Sequence, residues 1–282
     1  MSRKWALAAT VAALALGQSP AQAALPFFGK KEGEKKDAAA AASADAKPAA
    51  PAPPRKATAQ ERATAQRLDP LARAAFWARE QQIDPADAEV GVALAQALRA
   101  LGRNEEAAQA AGRVLLARPD DTQALMEAAR AHIARGQGFY AVEPAKRAQA
   151  LNPRDWRPLA LLAVAYEQTK RDAEALAAHR QALALAPNEP SALSNLAMFQ
   201  AGHGDAAEAE RLLRRAASLP GANATVRQNL ALVLGLQGKM AEAEALARQD
   251  LPPELADRNL AYLRAASSPA PAARSWDALR TP

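Results

Sequence analysis

Three kinds of side chain in this sequence have the chemistry to hold a ligand. Arg99, Arg130 and Arg157 carry planar guanidiniums, which pair with carboxylates through two parallel bonds. Asn195 and Asn229 carry amides that either bond the backbone of an extended ligand or pin a neighbouring structural unit, and both readings stand at this point. Val92, Met126, Ile133, Val164, Met198 and Leu232 supply apolar contact, the methionines of an adaptable kind, and Gln96 adds another amide. Covalent and metal chemistry find no such grouping. His132, His179 and His203 stand 47 and 24 residues apart, unlike metal ligands on one helix. The first two are expected to pack and the third to sit in a turn. Gly235 to Lys239 lacks phosphate-loop spacing, and no Gly-x-Ser-x-Gly elbow occurs. With no cysteine, thiolate ligands, disulfides, a cysteine nucleophile and thioether lipidation are all excluded. The expectation is a binding protein that is not an enzyme and uses no metal or cofactor.

The elements that must position these groups follow from a 34-residue period, with copies starting at 88, 122, 156, 190 and 224. The eighth residue is alanine in all five copies, at Ala95, Ala129, Ala163, Ala197 and Ala231. So is the twentieth, at Ala107, Ala141, Ala175, Ala209 and Ala243. Small residues there let two helices cross closely. Gly102, Gly136, Gly204 and Gly238 hold the fifteenth place, where a left-handed residue ends a helix; Lys170 is the exception. Pro119, Pro153 and Pro187 close the first three copies, because proline cannot extend a helix. Helix formers fill the rest. Such a helix–turn–helix unit cannot bury its own apolar face, so units must stack. The period and its small residues resemble the tetratricopeptide repeat. The expected fold is all-α: a right-handed superhelix of about five repeats, a degenerate first unit and a C-terminal capping helix. Residues 70–83, with Pro85 placed 34 residues before Pro119, read as the second helix of that first unit. Residues 254–266 read as the cap. By the 3.6-residue period, positions 2, 5, 6, 9, 12 and 13 of each first helix face a concave groove. The twelve candidate side chains named above all fall on these positions and form the predicted partner-binding surface.

Charge is unevenly placed. The chain has 36 basic and 30 acidic residues, for a net charge of +6. Residues 58–266 hold 25 of each, so the repeat body is neutral and the excess lies in the tails. Phosphate binding needs a clustered basic face, so nucleic acid is not the expected partner. Aromatics at 4% leave few platforms for stacking bases. Arg3 and Lys4, the apolar Trp5–Leu16 and the Ala21-Gln22-Ala23 ending have the layout of a cleavable signal peptide over residues 1–23. An uncleaved anchor is the alternative reading. Residues 24–57 form a charged, Ala/Pro-rich linker, 58–266 the solenoid, and 267–282 a flexible tail carrying Trp276. After cleavage no integral membrane segment is expected, and the mature chain is expected in the periplasm.

A narrower resemblance rests on particular stretches. These are Asp69 to Ala78, Val90 to Gly102, and above all Asn229 to Gly235 with Gln237-Gly238 and Ala241-Glu242-Ala243-Glu244. The last runs on into Asp250-Leu251-Pro252-Pro253 and Asn259 to Leu263. Together they resemble the TadD-like tetratricopeptide-repeat proteins of the tight-adherence (Flp) pilus assembly system. The resemblance covers roughly residues 68–280. It implies an envelope scaffold that engages a secretin, a pilin or another assembly component. Members are often lipoproteins, and a chain without cysteine departs from that. Repeat domains of this type that clamp a C-terminal carboxylate use Lys and Asn where this chain has Val92 and Gln96. That clamp is therefore not expected. The alternative reading is a general periplasmic adaptor in polysaccharide export or cell-wall machinery.

Overall fold

The computed structural model describes residues 55–267. The signal segment, the linker up to residue 54 and the tail with Trp276 lie outside the described residues. All regular structure among the described residues is helical. A short α1 (Ala59–Ala65) and α2 (Pro70–Ile83) form the first unit. Five helix pairs follow: α3 (Ala88–Ala100) with α4 (Asn104–Ala117), α5 (Thr122–Ala134) with α6 (Gly138–Leu151), and α7 (Trp156–Gln168) with α8 (Asp172–Leu185). The series continues with α9 (Pro190–Gly202) and α10 (Ala206–Ser218), then α11 (Ala224–Leu236) and α12 (Met240–Asp250). The last helix is α13 (Pro253–Ser267).

Each repeat start coincides with the first residue of a helix. The residue before it explains why. Asp87, Asp121, Asp155, Glu189 and Asn223 each accept a hydrogen bond from a backbone N–H two or three residues on, the standard cap of a helix start. The fifteenth position is left-handed throughout, with φ of 74° at Gly102, 71° at Gly136, 59° at Lys170, 92° at Gly204 and 85° at Gly238. Lys170 is the one non-glycine residue among those described to adopt that backbone. The second helices of the first three repeats end two residues before their prolines. The intervening Arg118, Asn152 and Ala186 have left the helical region, with φ between −132° and −137°, because a following proline disfavours helical backbone.

Nine of the ten phased alanines are at most 1% exposed and the tenth, Ala231, is 3% exposed. They form the crossing points around which the leucines pack, such as Leu193, Leu213 and Leu234. Every helix packs on the next in sequence, and the first helix of each repeat also packs on the first helix of the following one. That second layer of contact, α3 on α5 on α7 on α9 on α11, places the first helices along the inner side of the stack. At the C-terminal end Ala256, Leu260 and Leu263 of α13 are buried. Leu263 lies directly over Gly235 of α11, where a Cβ would meet Leu263 Cδ1 at 2.5 Å. The cap thus closes the last apolar face with a helix shaped to a glycine.

Candidate partner-binding groove

The inner surface is narrower than the helical period alone implies. Position 5 of each first helix turns into the seam with the neighbouring units instead of the groove. Val92, 9% exposed, packs with Ala88, Val114 and Ala124. Met126, fully buried, packs with Leu125 and Ala148 and against Leu115 and Leu161. Both are core residues and are not available to a ligand, which corrects their place in the predicted surface. Position 5 lies about 60° round the helix from position 2, and the adjoining repeat covers that flank. Positions 2 and 9 keep a solvent edge in every copy, and positions 6 and 12 keep one in some copies and are buried in others, as at Ala93, Glu127 and Ala201. Among them Gln96, Arg99, Arg130, Ile133, Val164, Asn195, Met198, Asn229 and Leu232 are half-buried, and Arg157 is exposed.

Position 9 sets the character of the groove, because it recurs at the same place on every first helix. Its five residues are Gln96, Arg130, Val164, Met198 and Leu232. Along position 9 the groove is therefore polar and cationic over the first two repeats and apolar over the last three. Ile133 and Val164 flank the junction between these halves. Ile133 also lends its carbonyl to Gln168 Nε2 at 2.9 Å, tying the second repeat to the third.

At the polar end the arginines already hold partners. Glu127, at position 6 of the second repeat, is 2% exposed. Arg99 Nε donates to Glu127 Oε2 at 3.0 Å and Arg130 Nη1 to Glu127 Oε1 at 2.5 Å. One buried carboxylate thus orients two guanidiniums from adjacent repeats. Arg157 folds back onto Asp155, with Nη2 at 2.7 Å and Nε at 2.8 Å from its carboxylate oxygens. That contact, helped by the field of Arg130, holds the Asp155 carboxyl below the usual carboxylate range against the opposing effect of burial. The two asparagines divide the roles left open by the sequence. Asn229 Nδ2 donates to Ser194 Oγ at 3.0 Å and pins the fifth repeat to the fourth. The Asn195 side chain bonds to none of the described residues, so its amide is available to a ligand backbone.

The histidines serve the scaffold. His179, 1% exposed, is bonded through Nε2 to Glu167 Oε1 at 2.6 Å and rests 5.5 Å from the Phe199 ring. His203 caps the end of α9, with Nδ1 2.8 Å from the Phe199 carbonyl, and stacks on the Phe199 ring at 4.0 Å. His132 is half-buried beside Tyr140, at 5.7 Å between rings. Among the described residues, no group of three or more His, Asp and Glu side chains is placed to hold a metal, and no helix is long and apolar enough to cross a membrane.

Two features escaped the sequence reading. Glu127 organises the arginines, and its signal was an acid at a position that holds Ala93, Leu161, Asn195 and Asn229 in the other copies. The second is an aromatic corner on the turn face. Position 19 is Glu in four copies, at Glu106, Glu174, Glu208 and Glu242, but Tyr140 in the second. Phe139 and Tyr140 are 75% and 61% exposed and meet edge to face. In the first and third repeats an arginine three residues earlier pairs with that Glu, as Arg103 does with Glu106 and Arg171 with Glu174. The second repeat has Gln137 at that place, so both halves of the pair are replaced.

Comparison with known proteins agrees with this architecture. A tetratricopeptide-repeat family model matches residues 159–191, the length of one repeat. A thermophilic tetratricopeptide-repeat protein of Thermus thermophilus is 25% identical, with 64% of this chain and 98% of that chain covered at a TM-score of 0.57. A tetratricopeptide-repeat protein of Parabacteroides merdae is 12% identical, covering 73% and 80% at 0.62. Yeast Tom70 is 16% identical, covering 72% of this chain and 44% of that one at 0.52. No curated protein sequence matches the chain. Fold and repeat together are those of the tetratricopeptide-repeat solenoids this chain matches.

Proposed function

We propose that this chain is an exported scaffold that works in the periplasm and binds a component of a Flp (tight-adherence) pilus or related type II-like secretion assembly. The observation that carries the reading is the stretch from Asn229 through Glu244 to Asn259–Leu263, which resembles TadD-like proteins and builds the last repeat and its cap. The graded groove is the surface through which the scaffold holds its partner, a secretin or pilin subunit. Lacking cysteine, the chain reaches that partner without a lipid anchor. The test is a crosslinked pull-down of the tagged mature chain from its native envelope, read by mass spectrometry, beside a Met198→Asp, Leu232→Asp variant. Recovery of secretin or pilin subunits by the parent and their loss from the variant is the expected result. Recovery of cell-wall or polysaccharide-export proteins instead would overturn the pilus assignment. Equal capture by the variant would move the binding face out of the groove.

A further inference from the structure

The groove also constrains the shape and pattern of what lies in it; this step rests on the groove being the partner site. The cationic end has unspent donors. Arg99 engages Glu127 through Nε and Arg130 through Nη1. Both terminal nitrogens of Arg99, and Nε and Nη2 of Arg130, bond to none of the described residues. The patch made by Arg99, Arg130 and Arg157 with Glu127 and Asp155 has three cations against two anions. It can therefore take one further carboxylate. Glu127, being buried, fixes the two guanidiniums before any ligand arrives, so little side-chain freedom is lost on binding.

Spacing then sets the ligand's conformation. The first helices of adjacent repeats are in direct contact, and helices so packed lie roughly 8–10 Å apart. The position 9 residues are therefore presented at about that interval. A polyproline II strand has about three residues per turn and rises about 3.1 Å per residue, so every third side chain returns to one side after roughly 9 Å. A β-strand alternates sides with every residue and an α-helix needs about six residues for the same advance. The first meets the repeat step with about three residues and one ligand side chain for each repeat, where a helix needs about seven residues and roughly 10.5 Å to return to the same face. Its backbone makes no internal hydrogen bonds, which leaves its carbonyls for the amides of Asn195 and Gln96.

We propose that the groove reads a polyproline II segment of a protein partner with an acidic residue over the first two repeats and apolar residues at the third, sixth and ninth positions beyond it. The acid sits on Arg99 and Arg130, and the apolar residues sit on Val164, Met198 and Leu232. The probe is a fluorescently labelled peptide, Asp-Pro-Ala-Leu-Pro-Ala-Leu-Pro-Ala-Leu. Its controls are the same composition with the leucines shuffled off the three-residue period, and the same order with Asn for Asp. Anisotropy titrations against the full chain should show the shuffled peptide binding at least about tenfold weaker. The Asn peptide should also lose roughly tenfold, as expected for one charge-assisted contact. Arg130→Gln, checked for fold by circular dichroism, should abolish the preference for Asp over Asn while leaving the leucine register intact. Equal binding of the ordered and shuffled peptides, or no binding of either, overturns the proposal. If that happens while the Met198→Asp, Leu232→Asp variant still loses its envelope partner, the groove reading survives and only this ligand pattern falls. If the ordered peptide binds selectively while envelope capture ignores the groove, the pattern stands and the pilus reading falls.

Discussion

Lys170 offers the most direct test of how the repeat is built. It occupies the helix-ending position with φ of 59°, where the other four copies use glycine at 71° to 92°. A side chain in the left-handed region costs about 1–2 kcal/mol, from the clash of Cβ with the following carbonyl. Glycine removes that cost but brings an unfolded-state entropy penalty of about 0.5–1 kcal/mol. Lys170→Gly should therefore stabilise the third repeat by about 0.5–1 kcal/mol, since the lysine side chain is exposed and makes no hydrogen bond or ion pair with the described residues to offset the change, while its backbone bond to the Glu167 carbonyl is kept by glycine. The reciprocal change, Gly136→Lys, has room for its side chain, because a Cβ there meets nothing within 4 Å. It should cost a similar amount through the backbone alone. Because a solenoid melts in pieces, the assay is urea denaturation by far-ultraviolet circular dichroism together with amide exchange at the two turns. Lys170→Gly should slow exchange at its own turn and Gly136→Lys should speed it, and the double exchange should nearly cancel in the global midpoint. Changes of the same sign in both single variants would refute the argument, since the two sites share a left-handed backbone and the substitutions are reciprocal.

Two further predictions concern packing and charge. Gly138 begins α6 against the end of α7, and a Cβ there would lie 2.6 Å from the Ala165 carbonyl oxygen and 2.7 Å from Gln168 Cβ; Gly138→Ala should cost about 1–3 kcal/mol as overpacking, and an unchanged denaturation midpoint would show that the two helices slide apart freely. Arg157, Lys239 and Arg227 hold the carboxyls of Asp155, Glu210 and Asp250 below their ordinary values through direct hydrogen bonds. Depressed folded values add stability that is complete above the unfolded carboxylate range, about pH 4, and is lost as pH falls through the folded values. The unfolding free energy should therefore be level from neutrality to about pH 5 and drop below about pH 4, with Asp250→Asn shrinking the drop. A decline that starts near pH 6 would refute the assignment to these three carboxylates.

The five repeat starts were legible because Ala, Gly and Pro act through size and backbone conformation, which depend little on surroundings. It is the recurrence of Ala129 and Ala163 at one phase that marks a crossing point, and of Gly136 and its counterparts that marks a turn. The face of each first helix was less legible. The 3.6-residue period gives the angle of Met126 round its own helix, but not how far the neighbouring unit leans over that angle. The structure shows that unit covering position 5, so Val92 and Met126 belong to the seam. The arginines were found by type, yet their fixed geometry depends on Glu127, whose burial is a tertiary property. The acids that cap the first helices, from Asp87 to Asp155, sit at the last position of each period and were readable there.

Internal repetition separates scaffold from function within a single chain. Position 8 and position 9 are adjacent on the same helices, and position 8 is alanine in every copy, buried at each crossing. If position 9 also served packing alone, the same pressure from the same neighbours would hold it to one kind of residue. Instead it passes from Gln96 and Arg130 to Val164, Met198 and Leu232, partly open to solvent in each case. The order is graded along the stack, with polar residues at one end and apolar ones at the other. A gradient of that kind has no use in stacking identical units, because each repeat touches only its neighbours and gains nothing from its rank in the series. It is useful to a ligand that spans all five repeats in one direction. Position 9 should therefore tolerate substitution with little effect on stability and a large effect on binding, and position 8 the reverse.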